Sequence, residues 1–238
     1  MSSLKRSLIA AAGAICLITA CSQAGGDTPE TATPTKQVDA GYLEMVTFSE
    51  ENGSVIIGNP DAEVEFIEYA SLTCGHCADF HNTVMPRIKQ DYIATGKVRF
   101  VFQEFPTEPV QIALAGFSLA RCSGESGYLG VLDDFFGNQA DIFTSGRAGT
   151  IAQTLIDLGE RHGIKESQFE ACVTDQSYRR AVSASVDYGR TQGVNSTPSL
   201  FLNGEKLETA ASRTPDGLAA IIDDALAGKT STEDGSGS

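Results

Sequence analysis

Cys74, Gly75, His76 and Cys77 place two cysteines three positions apart at the start of a helical pattern, a spacing suited to thiol-disulfide exchange. A helix N-terminus carries unpaired N–H groups and roughly half a positive charge, which stabilises a thiolate there. Cys74 is therefore the expected nucleophile. His76, when protonated, favours the same thiolate, and Cys77, one turn inward, is placed to attack a mixed disulfide as the resolving thiol. Two other readings fit these residues. With His81 they form a C-x-x-C-x-x-x-H string, but a closed zinc site needs a fourth ligand and no second Cys or His pair stands at ligand spacing, so no metal is expected. A purely structural bridge across one helical turn would close too short a loop to constrain the unfolded chain. His81 itself reads as a surface or groove residue.

The segments around these residues must position them. A turn signal at Gly58-Asn59-Pro60-Asp61 leads into residues 64–69, whose β-branched and aromatic content predicts a buried strand ending in Glu68 and Tyr69. Cys77, Phe80, Val84, Ile88 and Tyr92 then recur every three or four residues, the apolar face of a helix that Pro86 should kink without ending. Residues 98–102 predict a second strand. From 109 to 192 the period is helical: Ile151, Leu155 and Leu158 mark a helix closed by Gly163, and Tyr178, Val182 and Val186 mark another, with Cys172 on a short helix between them. Residues 199–202 return to strand character, turn at Asn203-Gly204 and resume at 206–208 as a hairpin. A last helix is capped by Thr214, begins at Pro215, buries Leu218, Ile221, Ile222 and Leu226, and closes at Gly228. The stretch 42–55 reads either as a dimerisation element or as an extra strand.

The N-terminus speaks of export. Lys5 and Arg6 precede an apolar run at 8–19 that is too short to span a membrane. The run ends at Ile18-Thr19-Ala20-Cys21, a string that resembles a bacterial lipobox and predicts lipidation of Cys21. A soluble secreted chain cleaved nearby is the competing reading. Residues 22–39 are too poor in large apolar side chains to fold and read as a tether with a reach of roughly 25 Å. Of six cysteines, Cys16 leaves with the signal and Cys21 is acylated. Four remain, an even number as expected outside the cytoplasm, and if Cys74 pairs with Cys77 then Cys122 and Cys172 are left for each other; two buried free thiols are the alternative. The net charge of −14, more negative once Lys5 and Arg6 are removed, excludes nucleic acid as a partner and general attraction to anionic lipid, leaving the acyl chains as the only membrane attachment.

Three separated features together resemble the thioredoxin superfamily and, within it, the DsbA-like proteins. Glu68, six residues before Cys74, matches the buried acid of that family; Thr197-Pro198 before a strand and an Asn-Gly hairpin matches its cis-proline loop; and the helical stretch matches its inserted domain. The resemblance implies an α/β thioredoxin fold with an inserted helical domain: signal 1–20, tether 21–41, first part of the thioredoxin domain 42–108, helical insertion 109–192, second part 193–228 and a tail at 229–238. It also implies that Thr197 and Pro198 hold an extended substrate segment beside Cys74 and that Glu68 takes the proton of Cys77. The dipeptide departs from the family: Gly75-His76 is similar to protein disulfide isomerases, whereas DsbA has Pro-His. The expected function is an extracytoplasmic thiol-disulfide oxidoreductase, lipid-anchored in the bacterial cell envelope. It would exchange its disulfide with cysteines of exported proteins and be reset by a membrane redox partner, without a cofactor. Donation is the favoured direction. A reductase or isomerase, or a non-catalytic peptide-binding chaperone or metal-delivery module, is the alternative.

Overall fold

The computed structural model describes residues 40–229; the signal, Cys21, the tether up to residue 39 and all but the first residue of the tail lie outside the described residues. After a short 3-10 turn come strands β1 (Val46–Phe48), β2 (Val55–Ile57) and β3 (Val64–Ala70), helices α1 (Gly75–Thr83) and α2 (Met85–Ile88), and strand β4 (Val98–Glu104). Six helices follow: α3 (Val110–Cys122), α4 (Gly124–Gly137), α5 (Gln139–Ala148), α6 (Ile151–Arg161), α7 (Glu166–Thr174) and α8 (Gln176–Thr191). The chain returns through β5 (Ser199–Leu202) and β6 (Glu205–Lys206) to the closing helix α9 (Pro215–Leu226). The strands form one sheet in the order β1-β2-β4-β3-β5-β6, with β3 and β4 parallel and every other pair antiparallel. The 42–55 stretch thus supplies the edge strand β1 and the start of β2, and the hairpin's second strand is shorter than expected, ending at Lys206.

Strand parity decides what reaches the site. Val64, Phe66, Glu68 and Ala70 alternate onto one face of β3 and are all buried, whereas Glu65, on the other face, is half-buried and pairs with Arg99. The register that buries Phe66 against Phe100 at 5.6 Å between rings therefore buries Glu68 as well.

The active-site helix breaks where proline chemistry says it should. Pro86 has no N–H to give to Asn82, and its ring crowds that carbonyl, so α1 ends at Thr83, Val84 relaxes to φ −100°, and α2 restarts with Pro86 in its first turn. The helical path continues to Ile93 as a wider π turn. The far hairpin turns on Asn203 (φ 48°) and Gly204 (φ 84°), both left-handed, the geometry that two-residue hairpins favour.

The inserted helices share the core of the sheet. Phe117 of α3 and Tyr128 of α4 pack on Phe102 of β4 at 6.2 and 6.4 Å. At Gly116 of α3 a Cβ would stand 2.6 Å from both Leu72 and Phe135, so only glycine lets α3, α4 and the active-site loop meet. Beside this contact, buried Arg121 binds the buried Glu104 carboxylate at 2.8 Å and donates to the Gly53 carbonyl at 2.7 Å; Tyr128 donates to Glu104 at 2.9 Å. Cys122 at the end of α3 is bridged to Cys172 on α7, their Cα atoms 5.6 Å apart.

Candidate active site

The loop from Ser71 to Cys74 is fixed before the helix starts. Ser71 Oγ accepts from the N–H groups of Thr73 (3.2 Å) and Thr107 (2.9 Å), and Thr73 Oγ1 donates to the Thr107 carbonyl at 2.7 Å. From the insert, Gln139 reaches back and donates to the carbonyls of Leu72 (2.8 Å) and Cys74 (3.1 Å). Nothing in the sequence singles out Gln139, because its contact spans more than 60 residues and depends on how α5 docks.

Cys74 is the N-cap of α1, where Ser, Thr, Asp or Asn commonly accepts from an unpaired helix N–H. Its Sγ accepts from the Cys77 N–H at 3.3 Å, and in the thiol form it donates to the Thr197 carbonyl at 3.4 Å. These interactions push the Cys74 pKa down to about 6: the hydrogen bond with Cys77 contributes most, and Thr197 and the backbone N–H groups of Cys77 and His76 add to it against the opposing effect of burial. His76 acts here through its main chain. Its ring is exposed to solvent, so the main-chain N–H of His76, and not the imidazole expected from the sequence, is what helps to lower the Cys74 thiol. Cys77 is fully buried, and desolvation, the hydrogen bond with Cys74 and the Glu68 carboxylate all push its thiol up. Both cysteines are free thiols.

The Thr197–Pro198 peptide is cis and brings the Thr197 carbonyl to Cys74. Arg213 donates to the Pro198 carbonyl at 3.2 Å and Ser199 to that of Ser196 at 2.8 Å, which holds the loop from behind. A groove of about 350 Å³ runs beside Cys74 between His76, Phe80 and Thr83 on one wall and Ser196, Thr197 and Pro198 on the other.

Glu68 lies fully buried, and its Oε2 meets His81 Nε2 at 2.8 Å. The expectation that His81 is a surface or groove residue is wrong. It sits one helical turn after Cys77 on the same inward face of α1, with its side chain 1% exposed and its ring stacked on Phe136 at 4.1 Å. Among the described residues, no group of three or more His, Cys, Asp or Glu is placed to hold a metal ion.

A thiolate and a buried thiol one turn apart, beside a proline loop on a thioredoxin-like sheet, have counterparts in known proteins. The family profile described as Thioredoxin matches residues 50–224, and the chain belongs to that family. Within it, the chain is a DsbA-like thiol-disulfide oxidoreductase. A Rickettsia bellii protein whose name provisionally makes it a protein-disulfide oxidoreductase is 29% identical over 182 residues, 76% of this chain and 68% of its own. Among solved structures, a protein-disulfide isomerase from Novosphingobium aromaticivorans superposes with a TM-score of 0.64 at 21% identity, covering 74% of this chain and 98% of that one. Wolbachia pipientis alpha-DsbA1 superposes at 0.63 and 23% identity, covering 80% and 96%.

The Cys74 geometry predicts a measurable titration. In reduced protein, alkylation of Cys74 should follow a single transition with its midpoint near pH 6, while Cys77 stays unreactive until the chain unfolds. A depressed acid stabilises the reduced fold most above its ordinary pKa of about 9 and loses that contribution as pH falls through about 6. The reduced form should therefore gain on the oxidised form as pH rises through this window. Mass spectrometry of quenched samples reads both; a Cys74 midpoint near 9 rejects the prediction.

Proposed function

We propose that the protein is an extracytoplasmic disulfide donor whose Cys74–Cys77 disulfide is transferred to cysteines of exported proteins. The observation that carries this is the asymmetry of the two sulfurs: Cys74 is half-exposed on a groove as a good leaving thiolate, and Cys77 is sealed beneath it. A substrate thiolate attacks Cys74 Sγ of the disulfide, the Cys74–Cys77 bond breaks, and Cys77 leaves as a thiolate that takes a proton. A second substrate thiolate then attacks the substrate sulfur of the mixed disulfide and expels Cys74 as the thiolate. The substrate has lost two electrons and the site has gained them, with no cofactor required. The cis-proline loop and the groove beside it suit an extended peptide running past Cys74.

The direction of transfer depends on potential and on what resets the site. A Cys74 pKa of about 6 stands between the roughly 7 of thioredoxin-type sites and the roughly 3.5 of strongly oxidising ones. Relative to an ordinary thiol it favours the reduced form at pH 7 by at most about 1.4 kcal/mol, or about 30 mV, and by less once solvent screening of the half-exposed thiolate is counted. The Gly75-His76 dipeptide agrees with such an intermediate poise. Donation then relies on a membrane redox partner that keeps the pair oxidised, with Cys21 as lipid anchor and residues 22–39 as tether. The Cys122–Cys172 bridge suits a compartment in which disulfides persist.

The deciding experiment equilibrates the protein in glutathione buffers. The chain has no Trp, so the redox state is read by alkylation and mass. The expected potential is between about −200 and −120 mV, with the site recovered oxidised from the envelope. A value near −270 mV with the site recovered reduced makes the protein a reductase instead.

A further inference from the structure

Two separate parts of the chain hold the turn that delivers Cys74. Ser71 and Thr73 are tied through their side chains to Thr107, on the loop after β4. The carbonyls of the other two residues, Leu72 and Cys74, are taken by Gln139 Nε2 at 2.8 and 3.1 Å. Gln139 is the first residue of α5 and is 7% exposed; of the ten residues of that helix, only it and Ile142 are buried. A buried carboxamide is costly unless its N–H groups are used, and an apolar side chain of the same length would pack the position without that cost. The amide spends its donors on the active-site turn.

The Cys74 carbonyl shares one rigid peptide plane with the Gly75 N–H, and it already accepts from the Ala78 N–H at 3.1 Å as the first bond of α1. Gln139 is a second donor on that carbonyl. Cys74 stands at ψ 118°, and Gly75 brings no side chain to restrain the plane. Rotation there would swing Cys74 Sγ off the Cys77 N–H that it accepts at 3.3 Å. We propose that Gln139 is a positioning residue for thiol-disulfide exchange, its amide locking the Cys74–Gly75 peptide so that the head of α1 stays aimed at Cys74 Sγ. The reaction needs this because Sγ leaves one disulfide, joins a substrate sulfur and returns as a thiolate, with the N–H groups in place each time. Gln139 carries no charge, so it acts on the thiol through geometry alone. The titratable and charged groups around Cys74 are Cys77 and the exposed His76 on α1, Glu68 of β3, which acts on Cys77, and Asp79 and Arg213 along the groove. Through one side chain the inserted domain thus sets the reactivity of a cysteine 65 residues away.

The inference rests on the thiol-exchange reading of the same site, and its test separates the two. Gln139→Met keeps the length of the side chain and removes both donors. The alkylation midpoint of Cys74 in the reduced variant should lie about one pH unit above that of wild type, a tenfold weaker acid. A less stabilised thiolate shifts the glutathione equilibrium of the site towards its disulfide: no difference from wild type at pH 5, where both thiols are protonated, about fivefold at pH 7 and about tenfold at pH 9. A glutamine that only supports the fold would lower the melting temperature and leave the midpoint and these ratios unchanged, and that result overturns the proposal. Gly75→Pro, at the first position of α1 where proline needs no N–H, confines Cys74 to extended ψ by sterics alone. In that background Gln139→Met should shift the midpoint by about half as much or less; an equal shift in both backgrounds also overturns the proposal. If Gln139→Met does not fold, Gln139→Asn, one methylene shorter and unable to span both carbonyls, is read in the same way. Wild type that forms no mixed disulfide with glutathione at any pH rejects the exchange reading, whereas the alkylation midpoints still decide the role of Gln139.

Discussion

Replacing Cys74 with alanine should lower catalysed dithiol-disulfide exchange on the order of a thousandfold or more, down to the rate of the thiols in solution. No neighbouring group can take over. Cys77 is fully buried, and its thiol is pushed up by desolvation, by the hydrogen bond with Cys74 and by Glu68, so it is neither accessible nor ionised at neutral pH. Cys77→Ala should behave differently. Cys74 remains at the helix cap and still attacks disulfides, but the resolving thiol is gone and mixed disulfides accumulate. Its pKa should also rise, because the largest contribution lowering it comes from the Cys77 hydrogen bond. Insulin reduction and oxidation of a dithiol peptide measure turnover, and non-reducing mass analysis counts trapped adducts. Turnover by Cys74→Ala within tenfold of wild type would return the protein to the class of peptide-binding chaperones or metal-delivery modules.

How much of this was legible beforehand follows from the range of each interaction. The Cys74 and Cys77 positions, the Thr214-Pro215 start of α9 and the Asn203-Gly204 turn are local, and their residue types carry their own geometry. Glu68 was legible by parity: it shares a strand face with Val64 and Phe66, whereas Glu65 does not. His81 was misread although the same kind of argument applied. It stands four residues after Cys77, on the face that also carries Phe80 and Val84, but a polar residue there has no visible partner until β3 is docked beneath it. Gln139 on the Cys74 loop and Arg121 on Glu104 lie further out of reach, since each joins the insert to the sheet through a contact that no local period encodes.

Removing the second bridge, with Cys122→Ala and Cys172→Ala together, should destabilise the fold by about 4 kcal/mol on the chain-entropy account, since the two cysteines are 50 residues apart. That is a large part of the 5–15 kcal/mol typical of a domain and corresponds to a drop in Tm on the order of 10 °C. The loss should begin at one place. Cys172 is the one fully buried residue of α7, so without the bridge only the half-buried Phe169 and Val173 hold that helix on the core. Amides of α7 should exchange with solvent before those of β3, β4 or α1. The reactivity of Cys74 should survive at temperatures below the new transition, because its cap, its Thr197 contact and its Gln139 brace all lie outside α7. Thermal unfolding and hydrogen exchange of the double variant, compared with wild type in the same redox state of the active-site pair, give both answers. A destabilisation under about 1 kcal/mol with α7 still protected would mean that packing alone secures the insert, and the bridge would then report only on the redox state of the compartment.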